Sequence, residues 1–117
     1  MATKTFTREE IMEIVARGKP FTLLILLSGN PVPDDDELVN QMQLEHLAHL
    51  LNMEKDKKCC IFGPISNDER LHGIIVFNTT NKDDIREWMS SDPYIKAGHL
   101  TYELFDWFTI PGQTIPG

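Results

Sequence analysis

Apolar and polar positions change period several times along the chain, and the changes mark its elements. Thr7-Arg8-Glu9-Glu10 has the form of a capping box, in which the Thr7 hydroxyl serves a free amide and Glu10 reaches back. Ile11, Ile14 and Val15 then fall on one helical face, and Gly18 and Pro20 stop the run. Phe21 to Leu27 is densely apolar and is bracketed by Pro20 and Ser28-Gly29-Asn30-Pro31. Its length and brackets favour a strand buried on both faces, although periodicity alone leaves a helix open. Pro31-Val32-Pro33 reads as an extended connector. Asp34-Asp35-Asp36 opens a long helix reaching about Glu54, since three acids suit a positive helix N-terminus. Its apolar stripe is Val39, Met42, His46, Leu50 and Met53, stepping by three and four residues. An imidazole in a slot made for an aliphatic side chain is the first anomaly of the sequence.

Lys55-Asp56-Lys57-Lys58 is a solvated turn, and Cys59 to Phe62 is a short strand ended by Gly63-Pro64. Ser66 to Arg70 is a polar hairpin loop before a strand from Leu71 to Asn78. Thr80-Asn81-Lys82-Asp83 is a second capping-box candidate, starting a helix whose inner face is Ile85, Trp88 and Met89. Asp92-Pro93 ends it, Gly98 closes a short turn, and His99 to Phe108 is a last strand rich in aromatic residues. The chain thus divides into a helical extension at 1–20, a core domain at 21–108 and a tail at 109–117. The tail's two Ile-Pro-Gly tripeptides are too little for a repeat architecture, and an extended, weakly ordered segment is expected.

After the first helix the order is strand, helix, strand, strand, helix, strand. That is the split β-α-β-β-α-β pattern of an α+β, ferredoxin-like fold with a four-stranded antiparallel sheet. Right-handed crossovers place both helices on one face. The strands are apolar on both sides at Leu23 to Leu27 and Ile74 to Phe77, whereas a sheet with one wet face should alternate. The second face therefore needs a cover. A second copy packed sheet to sheet, giving a homodimer, is one solution. The N-terminal helix, short for the purpose, is the other.

With 117 residues, 41% hydrophobic and 25% charged, the chain is sized and composed as one folded domain. Its formal net charge of −7 argues against a nucleic-acid partner and against docking on anionic lipid, both of which need clustered Lys and Arg. No apolar run approaches a membrane span, and Met1 to Thr5 lacks the apolar core of a signal peptide. Adjacent Cys59 and Cys60 point to opposite faces of a strand and suit no ordinary disulfide. They read as buried thiols of a reducing compartment, the cytoplasm.

His46-Leu47-Ala48-His49-Leu50, a strand ending in Gly63-Pro64, a strand containing Gly73, and Asp92-Pro93-Tyr94-Ile95-Lys96-Ala97-Gly98 follow one another in order and spacing. Over residues 21 to 108 this arrangement resembles the YciI-like, or YCII-related, family. The resemblance implies a dimeric α/β barrel and an active site centred on a His/Asp pair near the dimer interface, here His46 and Asp92. It implies no single reaction, although one branch is associated with dehydrochlorination of chlorinated aromatic compounds. The family often carries Arg three residues before the histidine. This chain has Gln43, which lacks the bidentate cation that would hold an anionic substrate group.

Each residue also has a plainer role. A histidine on an apolar face commonly bonds a backbone carbonyl in a core. Asp92 before Pro93 is a ready N-cap. The two roles of Asp92 are compatible, because it has two oxygens. Imidazole titrates near neutrality, and a carboxylate on one nitrogen would fix its tautomer and steady the imidazolium. Without a nucleophile the pair suits proton abstraction in elimination, isomerisation or water activation. Ser66 lacks a Gly-x-Ser-x-Gly elbow, which weakens a serine-hydrolase reading. His46 with His49, or Glu45 with His49, has helical ligand spacing, but no further ligands complete a shell, so no metal and no cofactor is expected. His49, Gln43, Gly63 and Tyr94 are the candidates for substrate contact. For Tyr94 a packing role and for Gly63 a turn role serve equally. His72 and His99 read as ordinary edge residues. Two function classes remain: a small dimeric acid–base enzyme of lyase, isomerase or hydrolase type acting on a cyclic or aromatic compound, and a non-catalytic dimer binding a small ligand or a protein.

Overall fold

The computed structural model describes residues 5–117; the expectation about the first residues of the chain, from Met1 to Lys4, lies outside them. The elements are α1 (Arg8–Val15), β1 (Lys19–Ser28), α2 (Asp36–Lys55), β2 (Cys59–Pro64), β3 (Leu71–Phe77), α3 (Lys82–Met89), α4 (Pro93–Lys96) and β4 (Leu100–Thr109). The four strands form one antiparallel sheet in the order β2-β3-β1-β4, the ferredoxin-like arrangement that the strand and helix order predicts. The fold is α+β, with the sheet open on one face.

Pairing register assigns each strand residue to a face. Leu24 opposes Ile75 and Leu104, and Thr22 opposes Phe77, so these share the face under the helices. That face meets Leu50 and Met53 of α2 and Ile85 and Met89 of α3 in one hydrophobic core. The predicted stripe of α2 is the buried one: Met42, His46, Leu50 and Met53 are its buried residues. The other face carries Leu23 opposite Val76 and Phe105, Ile25 opposite Ile74, and Phe21 opposite Trp107.

Several local expectations need correction. The cap of α3 is Asn81, not Thr80; its side chain accepts from the amides of Asp83 and Asp84, as Asn does readily. Cys60 is exposed while Cys59 is buried, because β2 shifts register against β3 between Cys59 and Ile61. The first helix covers nothing: its capping box forms as read, yet none of its residues is buried, and Ile11 and Val15 are exposed. It is therefore not the cover for the sheet. After β4 the tail has no regular structure; its residues Ile110 to Ile115 wall a groove with Phe21, Ile61, Val76 and Trp107 of the open face. No helix among the described residues is long and apolar enough to cross a membrane.

Candidate active site

The site forms where α2 passes the short α4. Asp92 is the N-cap of α4: its Oδ1 accepts from the amides of Tyr94 (3.0 Å) and Ile95 (3.4 Å), and Pro93 suits the first helical position. The turn after α4 reverses at Gly98, whose φ of +78° is a left-handed conformation that favours glycine. The capping bonds fix the carboxylate, and its Oδ2 is then directed at α2. There it meets His46 Nδ1 at 2.6 Å and His49 Nδ1 at 3.2 Å. Asp92 is wholly buried and His46 nearly so, and every buried side-chain nitrogen or oxygen among the described residues has a partner. Burial alone would push the Asp92 carboxyl up. The hydrogen bonds and charges of His46, then His49, outweigh it and hold the group well below the usual carboxylate range.

The two imidazoles differ in what their second nitrogen meets. His49 Nε2 lies 2.9 Å from the Trp88 carbonyl oxygen, which only accepts, so that nitrogen carries hydrogen. Its Nδ1 completes a bond to the carboxylate when it too carries hydrogen. Ser91 Oγ stands 3.4 Å from the same Nε2. His49 is thereby held on Asp92 and the α3–α4 junction, and it is not in the cavity wall. The expectation that it flanks the cleft as a substrate contact changes accordingly. His46 is different. When the ring is neutral it donates to Asp92 through Nδ1 and Nε2 is an acceptor; the ring lines a cavity of about 350 Å³. The Tyr94 ring stands edge-on to it, with centroids 5.2 Å apart.

Gln43, Gly63 and Tyr94 line the same cavity, as do Leu26, Leu50 and Phe62. Tyr94 Oη donates to Gln43 Oε1 at 3.0 Å. Nothing lies within 4 Å of a Cβ built on Gly63, so this glycine leaves open space beside the cavity. His72 and His99 also line it, contrary to their expected role as plain edge residues. His99 Nδ1 bonds the Asn30 carbonyl oxygen at 3.1 Å. No local signal marked either residue; each reaches the wall through the pairing of strands distant in sequence. Among the described residues no group of three or more His, Cys, Asp or Glu side chains, the His46, His49 and Asp92 cluster included, is arranged to hold a metal ion.

The family model of the YCII-related domain matches residues 23–108. Among solved structures, the chain resembles 5-chloro-2-hydroxyhydroquinone dehydrochlorinase from Burkholderia phenoliruptrix AC1100, in complex with 2,5-dihydroxybenzoquinone. Identity is 18%, the TM-score is 0.50, and the match covers 73% of this chain and 92% of that one. At that identity the likeness shows the shared fold. No curated protein sequence matches the chain.

Proposed function

Because the chain belongs to the YCII-related domain family, we propose that it is a small enzyme that moves a proton on a small cyclic or aromatic compound. The observation that carries this reading is the buried 2.6 Å contact between His46 Nδ1 and Asp92 Oδ2 at the wall of a largely apolar cavity. His46 is the catalytic residue. Its Nε2 takes a proton from the substrate, and Asp92 fixes the tautomer and stabilises the imidazolium that results. Asp92 is a positioning residue, locked by its capping bonds. Apolar walls exclude water and strengthen these interactions. No serine, threonine or cysteine is among the described residues that line the cavity, so the reaction class is elimination, isomerisation or water activation, and the dehydrochlorinase of the same fold favours elimination.

The protein would act as a homodimer joined through the open sheet face. Phe105 and Trp107 remain 41% and 40% exposed there, beside half-buried Leu23, Ile25 and Ile74. A contiguous apolar face of this kind marks an interaction surface.

The test is chloride release from 5-chloro-2-hydroxyhydroquinone and related chlorinated hydroquinones by the full chain. His46→Ala should reduce turnover by about 10²–10⁴-fold. Undiminished turnover in that variant would overturn the reading. One observation favours a second reading, in which the cluster only builds the fold. Both Asp92 oxygens are engaged, with α4 amides and with α2 imidazoles, so the carboxylate also staples α4 to α2. A non-catalytic binding dimer then predicts that His46→Ala loses stability and leaves ligand affinity intact.

A further inference from the structure

Position 43 lies one turn before His46 on α2, so both side chains project to one side of the helix. The Gln43 amide is oriented by Tyr94, whose hydroxyl donates to Oε1. With one lone pair of its oxygen engaged, Gln43 keeps its whole Nε2 amino group, a donor only, for the cavity. His46 supplies the complementary acceptor through its own Nε2. Among the described residues that line the cavity, none is lysine, arginine, aspartate or glutamate. The groups in the wall that can take up positive charge are the imidazoles of His46, His72 and His99, so a carboxylate or phosphate entering it sheds its hydration and meets no permanent cation in exchange. An uncharged oxygen loses little and gains the amide N–H.

We infer that Gln43, oriented by Tyr94, makes this cavity selective for an uncharged ligand that presents a carbonyl-type oxygen to the amide and a hydroxyl or acidic C–H to His46. The inference rests on the assignment of this cavity as the substrate site. It also gives Gln43 a role in the reaction. As a C–H or O–H proton passes to His46 Nε2, the electron pair left behind is delocalised onto the ligand oxygen at Gln43, where the N–H stabilises the developing charge.

The test uses 4-hydroxybenzamide and 4-hydroxybenzoate, which share a shape and differ in charge. Each is titrated at millimolar concentration into the full-length ¹⁵N-labelled protein at neutral pH, with the Gln43 side-chain amide and the His46 ring followed by NMR. The amide should bind and shift both signals, and the benzoate should bind at least about tenfold more weakly. Gln43→Arg, a change at an exposed helical position, should reverse the order. Tyr94→Phe should narrow the preference while the fold, monitored by circular dichroism, persists. Equal or tighter binding of the benzoate to the wild-type chain, or binding of neither compound at the cavity, overturns the inference. The comparison requires no turnover. Equal binding with His46-dependent turnover defeats the amide selection alone, and the expected preference with turnover indifferent to His46 defeats the acid–base reading alone.

Discussion

Along β1, Thr22, Leu24 and Leu26 lie buried under the helices, while Leu23, Ile25 and Leu27 between them are only half-covered. The same contrast runs across part of the sheet, since Phe21 and Val76 of the open face are buried beside the tail. Ile75 and Phe77 of β3 have no exposed surface, whereas Phe105 and Trp107 of β4 show two-fifths of theirs. Both faces are rich in aliphatic and aromatic side chains, so composition does not distinguish them. What differs is the cover. Two helices close one face, and only there do polar groups converge, where α2 and α4 meet above the ends of the strands. Among the described residues, the open face carries apolar surface and no comparable cluster. In this fold the covered face holds the core and the polar cluster, and the open face leaves apolar side chains partly exposed.

The largest expected effect separates the faces by stability. Ile75→Ala removes a fully buried side chain from the core and should cost about 2–5 kcal/mol in urea unfolding. Ile25→Ala on the other face should cost under about 1 kcal/mol at high dilution. A cost at Ile25 that grows with protein concentration would assign the cover of that face to a second copy. Equal costs at every concentration would break the contrast.

Asp92→Asn probes the polar corner of the covered face. Asn retains the capping role, so the loss is confined to the bonds with His46 and His49, about 1–3 kcal/mol. Proton transfer should fall far more than stability does. The pH dependence has a definite sign. The folded Asp92 carboxyl sits below its ordinary range, so its contribution is full above that range. It is lost as pH falls from about 4 toward the folded-state value. Acid unfolding of the wild type should therefore steepen below about pH 4, and Asp92→Asn should flatten that limb. An unchanged acid limb in the variant would show that other carboxylates govern it.

The elements on both faces were legible in the residues, because hydrophobic period and helix stops are local signals. The stripe Val39 to Met53 exposed His46 as an anomaly, and the Asp92-Pro93 cap was readable for the same local reason. The meeting of His46 with Asp92 came from family resemblance, since the two are 46 positions apart and no period links them. Three features of the site were not legible. His49 turns onto Asp92 and the Trp88 carbonyl, His72 and His99 reach the cavity, and Tyr94 orients Gln43. All three depend on how α2 sits against α4 and the sheet, and tertiary placement leaves no mark in a single helix or strand. The register shift that exposes Cys60 is likewise invisible in four residues read as a strand.

A smaller effect tests what the open face is for. Ile25→Lys places a charge where sheet-to-sheet packing would bury it without a partner. Sedimentation should show association weakened by at least about tenfold, with circular dichroism and cavity binding unchanged. A wild-type chain that sediments as a monomer at all concentrations would remove association as the purpose of this face.

The smallest effect resolves the contrast at two neighbouring residues on the sheet edge. Cys59 packs in the core with Phe77 and Met53, while Cys60 faces outward at the irregularity in β2. Burial, with Glu54 and Cys60 nearby, pushes the Cys59 thiol up to about 11. An unfolded chain ionises its thiols near pH 8.5, so between about 8.5 and 11 the folded state holds a proton that the unfolded state has lost. Stability is thus fully present below that range and declines as pH rises through it; Cys59→Ala should reduce this slope, and burial, which also raises the Cys60 thiol, leaves a remainder. In native buffer iodoacetamide should modify Cys60 readily and reach Cys59 only as the strand opens, since the thiolate is the reactive form and access is required. Equal rates at the two thiols would mean that β2 detaches from the covered face on its own. That edge of the sheet would then belong to neither side of the contrast.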